Sequence, residues 1–189
     1  MEERLKLSHD STTEEVDAMQ YRCLVGSLRY LTYTWPDLAF SVGYVSRFMQ
    51  RPMMKHQQAT KRIIRYAVGT LDHSLYYPRC PGTAHFVGYS DSDHAGDIDT
   101  SKSMSRILFL LGKCLVSWQS VKQQVVALSS YEAEYIAAST ASTQALWLAR
   151  LLGDLLDRDT RAMELRMDSK SALALAKTPF SMNRVSTSG

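Results

Sequence analysis

Three cysteines, Cys23, Cys80 and Cys114, are all that the 189 residues contain, and they stand far apart. The absence of a CxxC pair excludes a zinc ribbon or a dithiol redox couple and leaves three idle thiols in a reducing compartment. Long apolar runs are lacking too: nothing approaches the roughly 18 residues that span a bilayer. The opening, MEERLKLSHD, is acidic and polar where a signal peptide is basic and then apolar. An intracellular, cytoplasmic protein without a membrane partner is therefore expected. Proline and glycine are modest at 5 and 9, and with 45% hydrophobic and 22% charged residues they describe a packed globular chain rather than a disordered or fibrous one. The length suits one full domain, or one domain with a helical appendage. The last lack is local: after Asp168 the chain has no Asp or Glu.

Charge is unevenly placed. Residues 1–19 hold six acids against Arg4 and Lys6, whereas residues 20–90 hold nine Arg and Lys against Asp37 and Asp72. A basic middle suits a polyanion such as nucleic acid, because phosphate contacts release counterions. A solvated charged surface is the alternative that charge alone leaves open.

Residues 1–19 lack apolar periodicity and read as a flexible acidic lead-in. From Gln20 the spacing of Leu24, Leu28 and Leu31 predicts a helix. Pro36 suits the first turn of a second helix through Leu38, Val42 and Val45, which Pro52 closes. A third helix, from about His56 to Leu71, puts Ile63, Ala67 and Leu71 on one face while Lys61, Arg62 and Arg65 project elsewhere, and Gly69 suits its C-cap. After Pro81 and Gly82 the period becomes extended. Strands are predicted at His85–Asp91, Arg106–Leu111 and Cys114–Trp118, the last two joined through Gly112 and Lys113. Ser129 or Ser130 reads as the N-cap of a long helix from Tyr131 to Leu156, with Gly153 marking fraying or its end. A fourth strand, Met163–Met167, stops at Asp168, and a short helix follows from Ser169 to Ala176. A right-handed crossover sets that strand parallel to the first, bringing Asp91 and Asp168 together at the strands' C-terminal ends.

Glu134 shares a helical stripe with Ala137, Ala138 and Ala141, whose small side chains allow close approach to the sheet. If that helix covers the first and fourth strands, Asp91, Glu134 and Asp168 converge. Three such carboxylates cannot all stay ionised without cations. Hard oxygen donors suit Mg²⁺ or Mn²⁺, and two ions about 3.5 to 4 Å apart could activate water at a phosphodiester. Asp93 and Asp97 read as turn or solvated acids, His94 as a surface group and Glu132 as solvated. Ser130 reads as a cap or as a contact to a 2′-hydroxyl. Trp118 and Trp147 read as core residues, with base stacking as the alternative.

The stretches YRCLVGSLRYLTYTWPDLAFSVGYVSRFM, HQQATKRIIRYAVGTLDHSLYYP, GYSDSDHAGD, LSSYEAEYIAAS, QALWLARLL and MDSKSALALAKTP occur in that order. Over residues 21 to about 180 the chain resembles the C-terminal part of the Pol polyprotein of Ty1/copia-type long-terminal-repeat retrotransposons. The resemblance implies a helical reverse transcriptase thumb or connection remnant over residues 20–74. It implies an incomplete, α/β ribonuclease H-like mixed sheet with flanking helices over residues 75–180; the tail over 181–189 reads as disordered from its own composition. It also implies hydrolysis of the RNA strand of an RNA/DNA hybrid with two Mg²⁺ or Mn²⁺ ions. Asp91, Glu134 and Asp168 would be the catalytic and metal-binding acids. Lys55, Lys61, Arg62, Arg65 and Ser130 would face the nucleic acid, and the rest of the Pol polyprotein would be the partner in a retroelement particle. Three departures accompany it. No Tyr-x-Asp-Asp polymerase motif occurs, Arg106 stands where relatives carry glycine, and SMNRVSTSG replaces the stretch that would carry a fourth acid. A truncated, catalytically impaired module that only binds nucleic acid is the alternative reading.

Overall fold

The computed structural model describes residues 7–9, 13–79, 85–157 and 163–167. Asp168, Cys80, the predicted helix from Ser169 and the predicted tail lie outside the described residues. Within them the fold is mixed α/β, with three helices preceding a four-stranded sheet and a fourth helix laid across it.

Helix α1 (Ala18–Leu31) begins where the Asp17 carboxylate accepts the Met19 backbone N–H at 2.8 Å. Its buried stripe is Tyr21, Val25 and Leu28 rather than the predicted stripe starting at Leu24, because the Tyr21 hydroxyl anchors the helix by donating to the Val45 carbonyl at 2.8 Å. Pro36 opens a 3-10 turn (Pro36–Leu38) that runs into α2 (Ala39–Val45) and a second 3-10 turn (Ser46–Phe48). Helix α3 (Met54–Gly69) starts earlier than expected, since the His56 ring accepts the Met53 N–H at 3.0 Å through Nδ1. That bond puts the proton on Nε2, 3.2 Å from the Ser8 carbonyl. The ring is fully buried against Phe48, with centroids 3.9 Å apart, and burial lowers its pKa from the ordinary value. Gly69 is the last helical residue, and Leu71 is exposed rather than on the buried face.

The lead-in is fastened more firmly than its composition suggested. Leu7 is buried, with its N–H donated to the Tyr44 hydroxyl, and Glu15 bridges to Met53. Local periodicity gives no sign of either contact, because both partners lie more than thirty residues along the chain.

The sheet runs β3-β2-β1-β4, with β1 (Phe86–Ser92), β2 (Met104–Leu111), β3 (Cys114–Lys122) and β4 (Glu164–Met167). Strand β1 pairs antiparallel with β2 and parallel with β4, the crossover expected from the sequence. Strands β2 and β3 are longer than predicted and meet through Gly112 and Lys113, where Gly112 takes φ 62° as a tight hairpin turn requires. Helix α4 (Ser130–Leu156) packs on β1, β2 and β4. Its Ala133, Ala137, Ala138 and Ala141 are buried, so the helix lies close to the strands. Gly153 is interior to it, and Asp157 ends it in a left-handed conformation.

Side chains alternate across the sheet. Ile107 and Phe109 face α4, packing with Ala141, Ala145 and Leu148. Arg106 faces the other way, its guanidinium 4.9 Å from the centre of the Phe40 ring on α2. Trp118 donates from Nε1 to the Thr32 carbonyl at 2.7 Å, tying β3 to the end of α1. No described helix is long and apolar enough to cross a membrane.

Candidate active site

Strand β1 ends and α4 begins at the same corner. Ser129 caps α4, its hydroxyl accepting the Glu132 N–H at 3.2 Å, so Ser130 is an exposed first-turn residue and not the cap. Glu132 is not simply solvated: its carboxylate accepts the N–H of Leu128, the residue before the cap, at 2.7 Å. Two residues on, Glu134 turns toward the sheet, where its Oε1 accepts the Ser92 N–H at 3.1 Å. Glu134 therefore sits against the residue that follows Asp91.

Gln123, just past β3, holds this corner together and was not singled out by the sequence. Its buried amide lies 2.8 Å from the Ala133 carbonyl, 3.0 Å from the Ser105 hydroxyl and 3.2 Å from the Ser92 hydroxyl. An amide nitrogen has two protons, so it donates to Ala133 and one serine at a time. The sequence carried no signal for it, because the predicted strand ended at Trp118 while the observed β3 runs on to Lys122. Replacing Gln123 by Leu is expected to cost about 2 kcal/mol, since the buried partners lose their donor. Urea unfolding measures this directly, and an unchanged midpoint would rule out the tie.

Asp91 belongs to the opposite side of the sheet from Phe109, by alternation in register. It pairs with Arg106 across the ladder, and the Arg106 Nη1 donates to Asp91 Oδ2 at 3.0 Å. Both side chains are about half exposed, at 54% and 44%. They border a cleft of about 590 Å³ shared with Phe40, Tyr89, Trp118 and Arg166. Met167 pairs with Ser90, and Asp168 is the next residue in the chain.

Asp91 and Glu134 offer carboxylate oxygens, the donors that Mg²⁺ and Mn²⁺ prefer. Among the described residues no group of three His, Cys, Asp or Glu is close enough to hold a metal; Asp91 and Glu134 supply two carboxylates from opposite faces of the sheet at the end of β1.

The other candidates separate clearly. Lys55, Lys61, Arg62 and Arg65 are all exposed on α3, opposite its buried His56, Ala59 and Ile63, which makes a basic helical face. His94 is exposed, as expected, and Asp93 is a turn acid accepting the Met104 N–H at 2.6 Å. Trp147 is 56% exposed and not a core residue. Asp97 is not solvated: it is 5% exposed and forms ion pairs with Arg47 and Lys122. Burial would raise its carboxyl, but hydrogen bonds from Lys122 and Thr100 and the Arg47 charge outweigh burial and hold it below the usual carboxylate range.

No protein-family model matches the chain, and no solved structure does. Similar curated proteins exist. The chain is 39% identical over 180 residues, 95% of its length, to the "Retrovirus-related Pol polyprotein from transposon RE1" of Arabidopsis thaliana. It is 42% identical over 182 residues, 92% of its length, to the "Retrovirus-related Pol polyprotein from transposon TNT 1-94" of Nicotiana tabacum. It spans only 12% and 13% of those two proteins. It is also 48% identical over 129 residues to "Secreted RxLR effector protein 161" of Plasmopara viticola, a match covering 68% of this chain and 90% of that one.

Proposed function

Because the chain belongs to the Pol polyproteins of Ty1/copia-type long-terminal-repeat retrotransposons, we propose that it is their reverse transcriptase connection followed by a ribonuclease H-like domain. Its reaction in this reading is hydrolysis of the RNA strand of RNA/DNA hybrids inside the cell, in the retroelement particle. The observation that carries the reading is the corner where Glu134 on α4 meets the backbone of Ser92, one residue beyond Asp91. In this reading the two acids meet around the C-terminal end of β1, Asp91 from the face opposite α4 and Glu134 from α4 itself. Asp91, Glu134 and Asp168 would hold Mg²⁺ or Mn²⁺, which supplies an activated water and charge stabilisation at the phosphodiester.

The protein's own contribution is positioning. The Ser92 N–H and the Gln123 tie to Ala133 fix the rotation of α4, so Glu134 does not swing away from β1. Lys55, Lys61, Arg62 and Arg65 supply sequence-independent attraction to the phosphate backbone of the hybrid. Ser130, exposed at the start of α4, is available to a 2′-hydroxyl, the group that distinguishes RNA from DNA.

The test is incubation of the 189-residue chain with a labelled RNA/DNA hybrid and Mg²⁺ or Mn²⁺. Cleavage leaving 5′-phosphate ends is expected, and Asp91→Asn or Glu134→Gln should reduce it by about 100-fold or more, the scale of losing a group that stabilises transition-state charge. Cleavage that survives both substitutions sinks the assignment. A second reading, a nucleic-acid-binding module with little turnover, is favoured by one observation, the Arg106 guanidinium on Asp91. Hybrid binding without cleavage in the same assay is its signature.

A further inference from the structure

We propose that Arg106 is a built-in counter-cation for Asp91, competing with divalent ions for that carboxylate and so setting how readily the site takes a metal. This rests on the assignment of Asp91 to the metal-binding acids. Arg106 and Asp91 are direct partners in the β1–β2 ladder, so the pairing is set by the register of the sheet rather than by a chance surface rotamer. The guanidinium is held from three sides. It lies 3.0 Å from Asp91 Oδ2, 3.9 Å from Asp93 Oδ2 and 4.9 Å from the centre of the Phe40 ring.

The pair is nonetheless easy to open. Two half-exposed charges attract each other weakly, because water competes for both. A doubly charged ion at Asp91 gains more from the carboxylate, but it must displace the guanidinium and then bear its repulsion nearby. Two charges against one at about 5 Å in a watery dielectric, together with the lost ion pair, correspond to a weakening of metal affinity of roughly 10- to 100-fold. Arg106 therefore permits metal binding at high ion concentration and opposes it at low. The arginine also keeps positive charge at the mouth of the cleft, beside Tyr89, Trp118 and Arg166, where it favours a phosphate backbone whether or not a metal is held.

The experiment titrates Mn²⁺ alone into the full chain by calorimetry, comparing wild type, Arg106→Gln, Asp91→Asn and the double variant. Arg106→Gln shortens the side chain but keeps it polar and removes its charge, and circular dichroism with Arg106→Thr as a second neutral variant separates loss of fold from loss of charge. Expected is Mn²⁺ affinity tighter by roughly 10- to 100-fold in both neutral variants, the gain abolished when Asp91→Asn is added. If wild type binds Mn²⁺ through Asp91 and neutralising Arg106 changes nothing, the competition is refuted while the metal-site assignment stands. If no folded variant binds Mn²⁺, both fall.

Discussion

Replacing Asp97 by Ala is expected to destabilise the fold by about 3 kcal/mol, more than any other change to a charged side chain described here, because it strands two cations inside the molecule. Asp97 sits in the loop between β1 and β2, and its Oδ2 receives Arg47, Lys122 and the Thr100 hydroxyl, the last at 2.8 Å. Arg47 comes from the second 3-10 turn and is only 11% exposed, so it cannot turn to water when its partner goes. Lys122 closes β3 and is 31% exposed, which places the cost at the lower end of the range for a broken buried pair. The bond network joins the helical segment to the sheet, so its loss should be felt globally. For a chain of this size about 3 kcal/mol corresponds to a fall in Tm of roughly 10 °C. Asp97→Asn keeps the shape and the Thr100 contact, so it separates charge from hydrogen bonding. Differential scanning calorimetry on the two variants checks this, and a shift below 2 °C (roughly 1 kcal/mol) for Asp97→Ala would refute it.

The same carboxylate predicts a pH dependence. Its folded pKa lies below the unfolded value, so its stabilisation is complete above the ordinary Asp pKa and is lost as pH falls toward the folded value. His56 acts at a higher pH. Its folded pKa is lowered, mainly by burial, so the folded state resists taking the proton that the unfolded chain accepts. Stability is then full above the unfolded His pKa and declines as pH falls below it. Acid unfolding of wild type should therefore begin near the ordinary His range, and His56→Gln should flatten that first part while leaving the later Asp97 part in place.

What the sequence revealed followed the range of the interactions involved. Helices α2 and α4, the hairpin at Gly112 and the parallel β1–β4 pairing were legible because they depend on local period, turn chemistry and a handedness rule. Glu134 was legible because it shares a face with small residues that must lie close to the sheet. The miscounted parts depend on partners far along the chain. Asp97 looked like a turn acid because Arg47 and Lys122 are 50 and 25 residues away. The buried face of α1 was displaced because Tyr21, an aromatic with a polar tip, goes inside to reach Val45. Trp147 looked like core by composition, yet it falls on the outer face of α4 while Ala145, Leu148 and Ala149 fill the inner one. Gln123 was invisible for the same reason, its acceptors being supplied by three different elements.

Phe109→Ala is the substitution expected to cost most, about 3 to 5 kcal/mol, since it empties a fully enclosed aromatic site. Phe109 is 1% exposed at the centre of the sheet and packs under Ala141, Ala145 and Leu148 of α4. The neighbouring position on β1 is Gly88, and a Cβ there would lie 2.5 Å from Phe109 Cε1 and 2.9 Å from Leu165 Cδ1. The glycine thus makes room for the ring, and the ring keeps α4 seated over β1 and β2. That seating sets the height of Glu134 above Ser92, so the loss reaches the candidate site as well as the core. Gly88→Ala should cost about 1 to 3 kcal/mol by overpacking. The two changes should not add. With the ring gone, the new methyl group loses its two Phe109 contacts and keeps the one to Leu165, so the double variant should be less destabilised than the sum by about 1 kcal/mol. Urea unfolding of the four members of this cycle measures the coupling, and strict additivity would show that Gly88 is not kept small by Phe109.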